Sequence, residues 1–343
     1  MKAIGFRSPL PISDPASLTD IDLPRPEPTG RDILVRIEAV SVNPVDTKMR
    51  MRPQPEPGPL KVLGWDAAGT VEATGPEAAL FEPGDRVFYA GAFGRPGTNA
   101  EFHLVDERIV GRKPASLGFA EAAALPLTAI TAWEALFDRL DIRKAVPGAA
   151  NALLIIGGAG GVGSITTQLA RKLTDITVIT TASRPETAEW SRNLGADHVI
   201  DHSKPLSIEI ERLGIGQPAF VFSTTNTDQH LAEIAKLIAP QGRFALIDDP
   251  ASLDVSPFKV KSVSTHWEFM FTRSMFGTAD IAEQGALLNE VSRLVDAGTL
   301  KTTLAETFGN ISAENLRRAH ALIESGRAKG KIVLAGWPAL SKR

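Results

Sequence analysis

The 343-residue chain contains no cysteine. That absence excludes disulfides, thiolate nucleophiles and any zinc centre that depends on cysteine ligands. Tyrosine occurs once, at Tyr89, so a phenolic proton donor has a single candidate. No run approaches the roughly 18 uninterrupted apolar residues of a membrane-spanning helix, and no membrane partner is expected. The opening MKAIGFRSPLPISDP has a lysine and then prolines where a secretory signal would have an apolar core, so a cytoplasmic location is expected. An excess of one charge is missing too. The 37 basic and 40 acidic residues give a net charge of -3, which argues against nucleic acid and for a small-molecule partner.

What is present is ordinary globular composition, 43% hydrophobic and 22% charged, in a chain long enough for two domains. Residues 1 to about 125 are rich in proline and glycine, with short β-leaning runs such as ILVRI (33–37) and RVFY (86–89) between turn signals. From Ala152 apolar strands alternate with helical stretches: ALLIIG, a helix to Leu173, ITVITT, a helix over Pro185 to Asn193, then HVI, AFVFS and GRFALI. Such alternation predicts a parallel doubly wound sheet. The segment FAEAAALPLTAITAWEALFDRL reads as helices joining the domains. After about Gly298 short strands return around the helix AENLRRAHALIESG and end in Lys331-Ile332-Val333-Leu334, predicted to rejoin the N-terminal part. The expected division is therefore 1–125 with 298–343, and 126–297.

The segment Gly158-Ala159-Gly160-Gly161-Val162-Gly163 follows the strand ALLII directly and opens a helix, the context in which GxGxxG binds a dinucleotide. Gly158 is assigned the tight turn, Gly160 the close approach to a pyrophosphate, and Gly163 helix-to-strand packing. The helix N-terminus supplies N–H groups and a positive dipole end for the phosphates. About 20 residues on, an NAD-binding chain has an acidic residue for the ribose. Here the sequence is Thr180-Thr181-Ala182-Ser183-Arg184, with a hydroxyl and a guanidinium instead. Arg184 suits a 2′-phosphate, so NADPH is the expected cofactor, unless Arg184 merely starts the next helix in solvent.

Five further strings, SVNPVDTKMR (41–50), LGWDAAGTV (63–71), PGDRVFYAG (83–91), NAEFHLVDERIVGRKP (99–114) and LPLTAITAWEAL (125–136), join the glycine run. Together they resemble the medium-chain dehydrogenase/reductase superfamily, in its quinone oxidoreductase and zinc-free alcohol-dehydrogenase-like branch, across essentially the whole chain. The resemblance implies an α/β fold: a GroES-like β-rich catalytic domain from both chain ends, an inserted Rossmann domain, an active-site cleft between them, and a homodimer. Zinc-dependent relatives place a cysteine where this chain has Asn43 and a His-Glu pair where it has Trp65-Asp66, and the six histidines here are scattered. No metal is expected.

Without a metal to polarise a carbonyl, simple alcohol oxidation loses its electrophile. A quinone, enone or enal instead leaves a delocalised enolate that hydrogen bonds and a proton source stabilise. NADPH-dependent reduction of such acceptors is the expected activity. A zinc-independent alcohol or aldehyde oxidoreductase and an NADPH-binding sensor or nucleic-acid-binding protein are the alternatives.

The resemblance sets Asn43, Asp46 and Arg50 at the nicotinamide end. Asn43 either bonds substrate or ribose, or forms the turn before Pro44; Asp46 and Arg50 either brace the site or form an i,i+4 ion pair. Related quinone reductases carry a tyrosine where this chain has Lys48, which becomes the candidate proton donor or a solvated lysine. Tyr89 is either a pocket hydroxyl or a structural residue of its strand. Thr128 either matches the family position near the nicotinamide or is a helix-interior threonine. Ser223 and Thr224, at a carboxyl strand end, are candidates for the cofactor ribose. In HWEFMFTRSMF, Phe269 and Phe271 are either pocket walls by the nicotinamide or core residues. Lys331 either approaches the cofactor or is solvated.

Overall fold

The computed structural model describes residues 1–53 and 58–338. They form two compact units, one of the described residues up to Leu127 and from Phe271 on, the other of Thr128–Met270. In the first, β1 (Lys2–Phe6) lies between β2 (Thr19–Asp22) and β4 (Lys61–Val62) in a small sheet. A larger sheet is centred on the eleven-residue β3 (Asp32–Val42), which is followed by helix α1 (Pro44–Met51). Strands β5 (Asp66–Thr74), β6 (Arg86–Tyr89), β7 (Phe102–Asp106) and β8 (Val110–Arg112) complete its N-terminal part. Helix α2 (Phe119–Ala123) follows; α3 (Pro126–Trp133) then carries the chain into the second unit and runs into a π-helical turn, Glu134–Arg139.

The second unit is a six-stranded sheet formed by β9 (Ala150–Ile156), β10 (Thr177–Thr181), β11 (His198–Ile200), β12 (Pro218–Ser223), β13 (Arg243–Leu246) and β14 (Ser264–Trp267). The order is β11-β10-β9-β12-β13-β14, with every pair parallel. Helices α4 (Gly161–Leu173), α5 (Pro185–Asn193), α6 (Leu206–Leu213) and α7 (Thr227–Leu237) connect the strands. Val178 and Ile179, adjacent in sequence and on opposite faces, are both buried, as expected of a parallel strand covered on both sides. Leu154, Ile156, Ile179, Val221 and Phe244 belong to the core on one of those faces. This is the expected doubly wound, Rossmann-like arrangement.

The chain then returns to the first unit through α8 (Thr272–Phe276), α9 (Glu283–Asp296), β15 (Leu304–Thr307), α10 (Ala313–Glu324) and β16 (Lys331–Ala335). The return begins at Phe271, earlier than the expected 298. The reason is α9, where a side chain on Gly285 would meet the Arg108 carbonyl, so this helix lies directly on the N-terminal segment. Strand β16 pairs antiparallel with β3, Ile332 opposite Val42, and β5 pairs with the other edge of β3, Ser41 opposite Asp66. That register brings residues 43, 66 and 331 together at the ends of three adjacent strands.

Candidate functional site

In the second unit the glycine run leaves β9 as predicted, with one correction. The left-handed residue is Gly157, at φ +86°, so the tight turn is made there and not at Gly158. Gly158 and Gly163 are required by proximity: a Cβ on the first would lie 2.4 Å from Thr180 Cβ, and on the second 2.3 Å from the Gly157 carbonyl oxygen. At Gly160 a Cβ would meet only the Gly157 oxygen, at 3.5 Å, so one face of this residue is open to an approaching group. Gly160 is the N-cap of α4 and provides no side-chain cap. The N–H groups of Gly161, Val162 and Gly163 in the first turn therefore have the character of an anion cradle. A dinucleotide pyrophosphate fits this site.

The neighbouring strand ends add polar groups. Thr181, closing β10, accepts a hydrogen bond at Oγ1 from the Gly157 N–H (3.0 Å). Ser183 is exposed, and Arg184 is the N-cap residue of α5, its Nε 3.3 Å from the Glu186 carboxylate. Ser223 is fully buried with its hydroxyl 2.7 Å from that of Thr227, so its oxygen is directed inward. The Thr224 hydroxyl donates to the Ile156 carbonyl at 2.8 Å, tying β12 to the turn after β9. These two bonds shape the loop, beyond which Thr225 and Asn226 are exposed. Thr128 is buried in α3.

In the first unit the polar centre is a buried cluster that sequence reasoning did not assemble. Lys331 Nζ donates to Asp66 Oδ2 (2.9 Å), to the Val42 carbonyl (3.2 Å) and to Asn43 Oδ1. Asn43 Nδ2 donates to the same Asp66 oxygen at 2.9 Å, and the Leu127 N–H donates to the other at 2.7 Å. Lys331 is 3% exposed, so it is neither solvated nor free to reach outward. The Asn43 N–H donates to Asp46 Oδ2 at 2.8 Å, which holds the start of α1. Burial pushes the Asp46 carboxyl up to about 7, against the lowering effects of that hydrogen bond and of Lys331.

Two other expectations are corrected. Arg50 does not pair with Asp46; it donates to the Leu10 carbonyl and to Glu324, joining α1 to α10. Tyr89 is wholly buried and bonded to His103 Nδ1 at 3.0 Å, while His103 Nε2 lies 2.9 Å from the Pro96 carbonyl. A carbonyl only accepts, so Nε2 carries the imidazole proton and the phenol donates to Nδ1. Its proton is committed to the core, and burial holds the phenol well above its usual range. Lys48, in contrast, lies on the exposed side of α1. Phe269 is exposed, whereas Phe271 is buried against Trp65 and Phe93, with ring centroids 5.8 and 5.5 Å away.

A zinc ion does not fit the residues that replace the ligands of the zinc-dependent relatives. Asn43 and Asp66 direct their oxygens at the Lys331 ammonium, and Trp65 packs in the aromatic cluster. Among the described residues no group of three or more His, Cys, Asp or Glu side chains is arranged to hold a metal. No helix of the described residues is long and apolar enough to cross a membrane.

Comparison with known proteins agrees with this architecture. The alcohol dehydrogenase GroES-like domain matches residues 29–131, and the zinc-binding dehydrogenase domain matches residues 194–334. A zinc-type alcohol dehydrogenase-like protein of Staphylococcus aureus (strain MSSA476) is 40% identical over 97% of this chain and 99% of its own. A 2-methylene-furan-3-one reductase of Solanum lycopersicum is 28% identical, covering 89% of this chain and 72% of its own. Among solved structures, a Rhizobium etli CFN 42 protein assigned to the zinc-dependent alcohol dehydrogenases has a TM-score of 0.96 at 66% identity, covering 98% of both chains. A Pseudomonas syringae quinone oxidoreductase has a TM-score of 0.80 at 26% identity, over 98% of this chain and 99% of its own. A mycobacterial protein complexed with NADPH has 0.81 at 26%, over 98% and 100%. With a GroES-like unit, a Rossmann-like unit and full-length relatives of this kind, the chain belongs to the medium-chain dehydrogenase/reductase superfamily and is an oxidoreductase.

Proposed function

We propose that this oxidoreductase uses NADPH to reduce a quinone or an α,β-unsaturated carbonyl, without zinc. One observation carries the reading: Asn43 and Asp66, which stand where the zinc-dependent relatives have a cysteine and the second residue of a His-Glu pair, direct their oxygens at the Lys331 ammonium. A reaction without a Lewis acid at those positions favours an acceptor that spreads the developing charge over a conjugated system. The tomato and Pseudomonas syringae relatives support that substrate class.

Bound NADPH would supply the hydride, and the chain's residues supply position and protons. The first turn of α4, from Gly160 to Gly163, holds the pyrophosphate; Ser183 and Arg184 take the 2′-phosphate, and the loop after β12 borders the ribose. Val162, Thr128 and Phe269 complete the proposed cofactor contacts. The Lys331 cluster fixes Asn43, and so the start of α1, on which Lys48 is the proposed proton donor. A homodimer in the cytoplasm belongs to the same reading.

Initial rates with NADPH and NADH against matched quinones, enones and saturated aldehydes test it. Faster turnover with NADPH and conjugated acceptors is expected. Turnover confined to saturated carbonyls would replace the reading with an alcohol or aldehyde oxidoreductase, and NADPH binding with no turnover on any acceptor would replace it with a sensor.

A further inference from the structure

Two carboxylic acids are buried side by side in the second unit: Glu134, which opens the π-helical turn, and Glu268, just after β14, 1% and 3% exposed. Neither is used by the reaction proposed for this chain. One cation serves both. Arg139 Nε lies 2.9 Å from Glu268 Oε2, and Arg139 Nη2 lies 3.9 Å from Glu134 Oε2. Residues five apart do not share a face of an α-helix. The wider turn, closed by the Leu140 N–H on the Ala135 carbonyl at 2.9 Å, sets Arg139 beside Glu134. Glu268 extends the pairing of β14 with β13, its N–H donating to the Leu246 carbonyl at 3.0 Å. The burial pattern there is inverted, with Trp267 and Phe269 exposed and the acid between them buried. The two carboxyls are hydrogen-bonded to each other. An ionised carboxylate only accepts, so that bond contains a proton. With the proton, the two acids and Arg139 are together neutral; without it, a buried negative charge is left over.

We propose that the proton shared by Glu134 and Glu268 positions the nicotinamide end of the cofactor site: it ties the end of β14, and with it Phe269, to the helix that carries Thr128, and its loss releases them. The proposal rests on the cofactor contacts proposed for Phe269 and Thr128. Phe269 directly follows one acid, and Thr128 lies in α3, which runs straight into the other. Burial, and then the Glu134 carboxyl, push Glu268 up from 4.5 to about 9, opposed by Arg139. Two other charged or titratable groups stand around Arg139. His266 of β14 is held below the ordinary histidine range by burial, Arg139 and Arg243, so it is neutral in the alkaline range. Arg243 of β13 is occupied with the Leu140, Asp141 and Lys144 carbonyls. The folded chain thus keeps a proton that the unfolded chain loses above 4.5, and the tie is lost as the pH rises through about 9. Beyond that point two carboxylates repel each other across one guanidinium.

The test is calorimetric titration of the whole protein with NADPH, NADH and 2′-phospho-ADP-ribose, which lacks the nicotinamide, between about pH 7 and 10, for the wild type, Glu268→Gln and Glu134→Gln. In either variant an amide N–H replaces the shared proton and the remaining carboxylate keeps Arg139, so the tie persists without a titrating group. Wild-type affinity for both reduced cofactors should fall by about tenfold as the pH rises through about 9. Both variants should hold their pH 7 affinity up to pH 10. A phosphate monoester has its second pKa near 6 and is a dianion throughout, so the fragment's affinity should stay level in all three proteins, which also shows that each is folded. An alkaline loss that persists in both variants would assign the titration elsewhere, a parallel loss for the fragment would make the pair a packing element, and a level wild-type profile would remove it; each overturns the proposal. NADH carries the same nicotinamide, so the result is read whichever cofactor is preferred. If NADPH is not bound more tightly than NADH at pH 7, the NADPH reading itself fails.

Discussion

Lys331 Nζ and Asp66 Oδ2, 265 positions apart in sequence, meet at 2.9 Å in the interior of the GroES-like unit. Strand β16 places one and strand β5 the other, on either side of β3. Removing one member of a buried pair leaves the other uncompensated, at a cost of about 3–5 kcal/mol. Lys331→Met should therefore lower the denaturation free energy by about that much. The double variant Lys331→Met with Asp66→Asn should recover a substantial part of it. Equilibrium unfolding in urea measures both.

Asp46 should give the unit a pH-dependent stability. Its carboxyl is raised from 3.8 to about 7 in the folded chain. Between those values the folded state retains a proton that the unfolded state has lost. The stabilising contribution is complete below 3.8 and declines as the pH rises through about 7, by roughly 1.4 kcal/mol per unit. Asp46→Asn should flatten that stretch of a stability-against-pH profile, and an unchanged slope would assign the titration elsewhere.

The glycine run separates folding from binding. Gly163→Ala forces a Cβ against the Gly157 oxygen and should destabilise the Rossmann-like unit by ~1–3 kcal/mol. Gly160→Ala meets no such contact and should change stability by less than about 0.5 kcal/mol. The same Cβ enters the proposed pyrophosphate approach, and NADPH affinity should fall by at least about tenfold. Thermal melting paired with fluorescence titration distinguishes the two.

Lys48→Met should reduce turnover by about 100-fold or more if Lys48 delivers the proton, within the range for general acids, with NADPH affinity preserved. Unchanged turnover in steady-state assays would exclude Lys48 from the chemistry.

Local signals were legible in the sequence. Helix α5 begins at Pro185, where a proline suits the first turn, and the β9–turn–α4 unit follows its glycines. What escaped depended on tertiary partners. Arg50 bypasses Asp46, four residues away, for Glu324, because α10 packs beside α1. Tyr89 lies on a strand with three consecutive buried residues, so no alternation reveals which way its hydroxyl points. Lys331 reads as a solvated lysine until β16 is paired with β3. Gly157 was displaced by one position because the motif specifies glycine spacing, whereas the left-handed turn is set by where β9 ends.

The central claim, conjugate reduction by a zinc-free reductase, is tested most directly by the fate of the hydride. An enone is reduced with NADPH deuterated at the transferred position, and the product is analysed by NMR. The account predicts deuterium at the β-carbon, a solvent-derived proton at the α-carbon and an intact carbonyl. Deuterium on the former carbonyl carbon, in an allylic alcohol, would contradict it.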